Sequence, residues 1–239
     1  MPNIMPNIAI FDLDHTLISV DCSNEWAKYL CDQELVNNPK TFMATKEAYD
    51  RAYHAGEVDM LGFCHFILQP LIGYNESSLQ NTLKDFAHFI VKNFTYPEAH
   101  QAVKGHVAKG DQILLISASL IDLVRPIGLL LGFDQENIIG VQNVKENGKL
   151  TGGVIEPLSF GSGKVHYYQQ WLQKQPEIFE QSIFYSDSIN DAPLLKLVDK
   201  AVCVNPDPKL ALLAHDNKWE VRSWQQMETA HEQINDVYF

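Results

Sequence analysis

Three observations predict an α/β protein: a doubly wound parallel sheet with a small α-helical bundle inserted into it. Short apolar runs of buried-strand length recur along the chain, helix-spaced segments alternate with them beyond residue 95, and residues 20–94 carry helical spacing with no strand.

The first expected strand is residues 8–11, an apolar run that ends on Asp12. Runs of the same kind follow at 113–116, 183–185 and 201–204, with helix-spaced segments at 121–131 and 165–172 between them. In such a sheet the ligand site lies at the carboxyl ends of the strands. The helices expected in the insert are 24–35, 42–55, 60–72 and 77–94, separated by Pro39, Gly56 and the pair Gly73-Tyr74, with Ser77 and Ser78 read as N-caps of the last. Trp26, Phe63 and Phe66 are assigned to the interior of this bundle. The resulting division is a core of residues 1–19 and 95–239 and an insert of residues 20–94. Asn147-Gly148, flanked by 141–144 and 149–154, predicts a tight hairpin decorating the sheet, because both residues tolerate positive φ.

The chain of 239 residues can bury one large core, or one core and a smaller module, and its 46% hydrophobic and 20% charged residues are those of a folded protein. A formal net charge of −12 works against nucleic acid and anionic membrane as partners, since both require a basic surface. A small phosphorylated metabolite remains compatible, because local donors and a metal ion can overcome the global field. Cys22, Cys31, Cys64 and Cys203 lack both the CxxC spacing of a zinc site and the density of a disulfide scaffold, and are read as reduced thiols. No basic leader with a long apolar stretch opens the chain, so a cytoplasmic location is expected. The opening MPNIMPNI is read as a second start at Met5 or as an artificial duplication, and residues 1–4 are given no function.

Four segments carry chemistry. Asp12-Leu13-Asp14-His15-Thr16 places two carboxylates just past a strand, where burial is costly unless a cation or proton offsets them. Ser186-Asp187-Ser188-Ile189-Asn190-Asp191 repeats the arrangement at another strand end. Asp12, Asp14 and Asp187 can therefore meet around a hard divalent ion, for which Mg2+ is the natural choice. Ser117, ending the run Leu114-Leu115-Ile116, offers a hydroxyl at a helix start, and Lys164 in Gly161-Ser162-Gly163-Lys164 offers a cation. The last segment lacks the GxxxxGK spacing of a Walker loop.

Taken in chain order, the four segments resemble the haloacid dehalogenase superfamily of phosphatases, through DxDxT, a strand-ending Ser, a Lys and DSxND. The resemblance implies a Rossmann-like core. The insert between the first and second motifs is similar to that of the phosphoserine-phosphatase-like branch, which implies a helical cap. It further implies a Mg2+-dependent phosphoric monoester hydrolase with Asp12 as nucleophile, forming an aspartyl phosphate, and Asp14 as general acid and base. Mg2+ would be held by Asp12, the backbone carbonyl of Asp14 and Asp187. Ser117 and Lys164 would bind phosphate oxygens, with Asn190 at the substrate and Asp191 supporting Lys164 or a metal-bound water. Asp21 would contact a substrate amine, while Arg51 does not match the cation expected for a substrate carboxylate. Histidinol phosphate or a phosphorylated amino alcohol then fits at least as well as phosphoserine. His15 is given no catalytic role. Two rival functions use the same motifs: phosphoryl transfer to an acceptor other than water, and a non-enzymatic phosphoacceptor resembling a receiver domain.

Overall fold

The computed structural model describes residues 5–176 and 178–226. The expectations for residues 1–4 lie outside them. In chain order the elements are β1 (Ile8–Phe11), α1 (Cys22–Asp32), α2 (Pro39–Ala55), α3 (Met60–Leu68), α4 (Glu76–Phe94), α5 (Pro97–Lys109), β2 (Gln112–Leu120), α6 (Ile121–Leu130), β3 (Ile138–Val141), β4 (Asn143–Glu146), β5 (Lys149–Val154), α7 (Ser162–Leu172), β6 (Ser182–Ser186), α8 (Ala192–Leu195), β7 (Lys200–Val204), α9 (Pro208–Asn217) and β8 (Glu220–Arg222).

Six strands form one parallel sheet in the order β3-β2-β1-β6-β7-β8. The chain builds outward from β1 through β2 to β3, then crosses back and builds the other way from β6 to β8. The switch of direction falls between β1 and β6, where a ligand crevice opens at the carboxyl edge. Register aligns Phe11 with both Leu115 and Tyr185, so β1 and β6 end side by side while β2 runs on beside them to Leu120.

Alternation along β1 sorts the core into two layers. Ala9 and Phe11 pack on one face with Val103 of α5 and Val124 and Ile127 of α6, whereas Ile8 and Ile10 face Trp171 of α7 and Leu210 and Ala214 of α9. The first layer continues without a break into the insert through Trp26, Leu30, Phe86 and Ile90. Burial of these four side chains, each 0% exposed, fastens α1 and α4 to the sheet layer by roughly 2 kcal/mol per side chain.

The insert is helical throughout, as expected, but its details differ. The helix ending at residue 35 stops at Asp32, and that ending at 72 stops at Leu68 with a short 3-10 turn after it. Ser77 and Ser78 do not cap α4: the cap position is Asn75, and the Ser78 hydroxyl donates back to the Asn75 carbonyl at 2.6 Å. Trp26 is buried against Phe86, and Phe66 stacks on Phe42 at 4.5 Å between ring centroids, in keeping with interior roles.

The hairpin exists, with Asn147 at φ 52 and Gly148 at φ 75, but it does not extend the main sheet. Val141 closes β3, and β4 and β5 form a separate two-stranded sheet. Backbone bonds from Gly73 N to Leu150 O and from Leu150 N to Tyr74 O join it to the insert, because β5 finds its free partners there. A cavity of about 530 Å³ lies between α3 and this hairpin, lined by His65, Phe66, Ile72 and Gly152 among others, none of them a predicted site residue.

Candidate active site

Asp12 follows β1 directly, its backbone held by a 3.0 Å bond to the Tyr185 carbonyl. Its carboxylate is 6% exposed and accepts from the Lys164 ammonium at 2.6 Å. Lys164, 2% exposed, also donates to Asp191 at 2.7 Å, and Asp191 accepts from Ser186 at 2.7 Å. The glycines flanking Lys164 have a packing reason. Gly161 adopts φ 56, and a Cβ on Gly163 would stand 1.7 Å from the Leu158 carbonyl oxygen, so α7 starts close against the preceding chain.

Thr16 Oγ1 lies 3.2 Å from a carboxylate oxygen of Asp12 and 3.2 Å from one of Asp187. One hydroxyl thus ties the first strand end to the fourth motif. Burial pushes the Asp12 carboxyl up to about 7, with Lys164 opposing and the charges of Asp191 and Asp14 adding. Asp187 is raised well above its ordinary value by burial, Asp12 and Asp191. The same carboxylates hold the Lys164 ammonium protonated against its own burial. Three carboxylates and one ammonium carry two uncompensated formal negative charges, which a divalent cation with oxygen preference would balance. The donor set therefore fits a hard metal ion at Asp12 and Asp187. Among the described residues no three His, Cys, Asp or Glu side chains form a metal cage, so these two carboxylates would leave most coordination positions to backbone, ligand and water oxygens.

Asp14 points elsewhere. Its Oδ1 accepts from the backbone N of Cys22 at 2.7 Å, and its Oδ2 from Ser119 Oγ at 2.8 Å and Ser117 Oγ at 3.3 Å. Its carboxylate links the start of α1 to β2, which runs on to Leu120, so Ser117 lies within the strand rather than at a helix start as expected, because the extended backbone continues until α6 begins at Ile121. Ser117 also accepts from Ser119 N at 3.0 Å, and its carbonyl is bonded by Ser159 at 2.6 Å. Asp21 caps α1 by accepting from Asn24 N at 2.8 Å, and burial together with the charge of Asp14 pushes its carboxyl up to about 7. Asn190 N donates to Ser188 at 3.3 Å, and Asp207 braces the same loop by accepting from Ile189 N at 2.6 Å. His15 is exposed, and so is Arg51.

Asp12, Lys164, Asp191 and Asp187 are thus brought together, and Asp14 is brought to Ser117. Sequence reasoning assigned no role to Thr16, which stands inside a quoted motif, nor to Ser119, two residues past Ser117. It missed Ser186, which bonds Asp191, and Tyr53 of α2, whose hydroxyl is 3.4 Å from Ser188 Oγ. The Tyr53 contact joins insert to core across 135 positions of chain, and no local pattern announces it.

The family described as haloacid dehalogenase-like hydrolase matches residues 9–196, a span that contains every one of these motifs. The chain belongs to the haloacid dehalogenase-like hydrolase family. Within that family it is 37% identical over 222 residues to a histidinol-phosphatase of Neisseria meningitidis, covering 91% of this chain and 98% of the relative. It is 29% identical to phosphoserine phosphatase SerB1 of Mycobacterium tuberculosis, covering 90% of this chain and 70% of that protein. Among solved structures, a protein of unknown function from Bordetella pertussis superposes with a TM-score of 0.84 at 30% identity, covering 91% and 98% of the two chains. A substrate-bound phosphoserine phosphatase superposes at 0.61 with 18% identity, covering 92% and 94%, and so shares the fold. The resemblance read from the four motifs and the parallel-sheet architecture both hold. No helix among the described residues is long and apolar enough to cross a membrane.

Proposed function

We propose that this chain hydrolyses a small amine-bearing phosphomonoester with Mg2+ bound, through a phosphoryl group carried covalently on Asp12. The enzyme class is that of a phosphoric monoester hydrolase. The observation that carries the finer reading is the buried Asp12 carboxylate at the sheet's switch point, 2.6 Å from Lys164 and sharing Thr16 with Asp187. A carboxylate so placed is useful as a nucleophile only if cations shield it from an incoming phosphate.

When bound at Asp12 and Asp187, with the Asp14 carbonyl as a further ligand, Mg2+ would supply charge neutralisation between the two anions. Every other role falls to side chains. Asp12 attacks phosphorus and displaces the alcohol, Lys164 and Ser117 hold phosphate oxygens, and Asp191 fixes Lys164. Asp14 gives the leaving oxygen its proton and later takes one from the hydrolytic water, exchanging its bonds to Ser117 and Ser119 for these.

Residues 20–94 act as a cap on a core of residues 1–19 and 95–239, with Asn190 and Tyr53 at the closing edge. Asp21 meets the substrate ammonium, and the partner is a small metabolite rather than nucleic acid or membrane. The name of the Neisseria relative supports histidinol phosphate as the first compound to try. A cytoplasmic location accords with such a substrate.

The test is phosphate release from histidinol phosphate, phosphoserine, phosphoethanolamine and an aryl phosphate, with Mg2+ and with chelator, and with Asp12→Asn as control. Metal-dependent release that disappears in Asp12→Asn supports the reading. Release that persists in Asp12→Asn contradicts it. An Asp21→Asn enzyme with an unchanged KM removes the role given to Asp21.

A further inference from the structure

Lys46, Asp50 and Tyr53 of α2 stand at i, i+4 and i+7 and so share one face of the helix. The Tyr53 end of that face meets the catalytic core: its hydroxyl is 3.4 Å from Ser188, and its ring centroid lies 6.5 Å from that of Phe160. Two turns back, Lys46 is 6% exposed, and its ammonium donates to Asp50 at 2.5 Å. α2 packs on α1, whose N-cap is Asp21, and the charges of both Lys46 and Asp50 reach the Asp21 carboxyl. Arg51, on the same helix, is exposed.

A buried ammonium on the helix that packs against α1, within electrostatic reach of Asp21, is the kind of group that would bind a substrate carboxylate. Here it is already engaged. Asp21, Asp50 and Lys46 sum to one negative charge, which a single ammonium neutralises. A ligand that carries an ammonium and a carboxylate together adds no net charge, and its carboxylate enters a desolvated site whose cation is taken, a costly arrangement.

We infer that Asp50 is a specificity-determining residue, which by engaging Lys46 withholds the buried ammonium from the ligand and so selects amine-bearing phosphates that lack an adjacent carboxylate. The inference deepens the phosphatase reading and rests on it for the identity of the ligand. Loss of the Asp50 carboxylate frees Lys46 and brings the local sum to zero, which favours the zwitterion.

Phosphoethanolamine and O-phospho-L-serine differ by one carboxylate and are the probes. Their Kd values are measured calorimetrically with Mg2+ in an Asp12→Asn background, where no turnover consumes them. With Asp50 intact, phosphoethanolamine binds more tightly. Asp50→Asn shifts the ratio toward phosphoserine by about tenfold or more, and Lys46→Met added to it abolishes the shift. Lys46→Met alone takes the local sum to two negative charges and moves the ratio further toward phosphoethanolamine, an arm that decides the matter if Asp50→Asn fails to fold, and a ratio that stays put there overturns the inference. A ratio unmoved in folded Asp50→Asn, a shift that survives loss of Lys46, or failure of both ligands to bind overturns the inference. Aryl phosphate hydrolysis by the otherwise wild-type enzyme, followed in parallel, judges the phosphatase reading separately. An active enzyme with an unmoved ratio removes only the role of Asp50, and an inactive one with the shift removes only the reading.

Discussion

Lys164 lies at the start of α7 and Asp12 at the end of β1, yet the ammonium of one sits 2.6 Å from the carboxylate of the other with both side chains almost wholly buried. The pair is one arm of a fork whose other arm is Asp191 at 2.7 Å. Removing the ammonium strands two buried acids. Lys164→Met is therefore expected to cost about 3 kcal/mol of stability near neutral pH, because breaking a buried pair leaves uncompensated charge. It should also lower kcat/KM by about two to three orders of magnitude through lost charge stabilisation. Denaturant unfolding and steady-state kinetics measure the two effects.

The raised carboxyls make the metal-free chain pH-sensitive. Asp12 moves from 3.8 to about 7, so between those values the native state holds protons that the unfolded chain has lost. Stability then falls as pH rises through that window. Mg2+ competes with those protons and reverses the trend, adding about 2.7 kcal/mol at a hundred times its Kd. Thermal melts at about pH 5 and about pH 8 should show the larger Mg2+-induced rise in Tm at the higher pH, and Asp12→Asn should flatten the difference. An equal rise at both values argues against a carboxylate metal site.

Thr16 is fully buried and placed between Asp12 and Asp187, so it orients both without being charged itself. Thr16→Val keeps the shape and removes the hydroxyl. Loss of a hydroxyl that orients two metal-binding carboxylates weakens metal binding by about 10- to 100-fold, readable by calorimetric titration with Mg2+.

Gly163 tests how α7 is seated. A methyl group there would collide with the Leu158 carbonyl oxygen, a backbone atom that cannot step aside. Gly163→Ala should cost about 1 to 3 kcal/mol or more through overpacking and displace Lys164, lowering activity beyond its effect on folding.

Much of this site is written locally. The strand ends at Asp12 and Asp187 could be read because apolar runs of fixed length terminate on polar residues, and the parallel order then brings them together; the same rule placed the end of β2 at Ser117, whereas the strand continues to Leu120. Other parts depend on tertiary context. The run Ile138–Val141, short and interrupted by Gly140, does not separate itself from loop by pattern alone, and β8 is three residues long. The hairpin was legible from Asn147-Gly148, but where it docks is decided by the backbone of Gly73 and Tyr74, far away in sequence. Likewise the contact of Tyr53 with Ser188 arises from how α2 lies against the core, which helical periodicity does not specify.

The claim at the centre of this account is that phosphoryl groups pass through Asp12. The most direct measurement is peptide mass spectrometry of acid-quenched enzyme during turnover with Mg2+ and substrate, using Asp14→Asn to slow breakdown of the intermediate. The account predicts a gain of one HPO3 unit on the peptide that contains Asp12, lost on treatment with hydroxylamine and absent from Asp12→Asn. An unmodified Asp12 peptide during sustained phosphate release, or a stable modification on another residue, would contradict it.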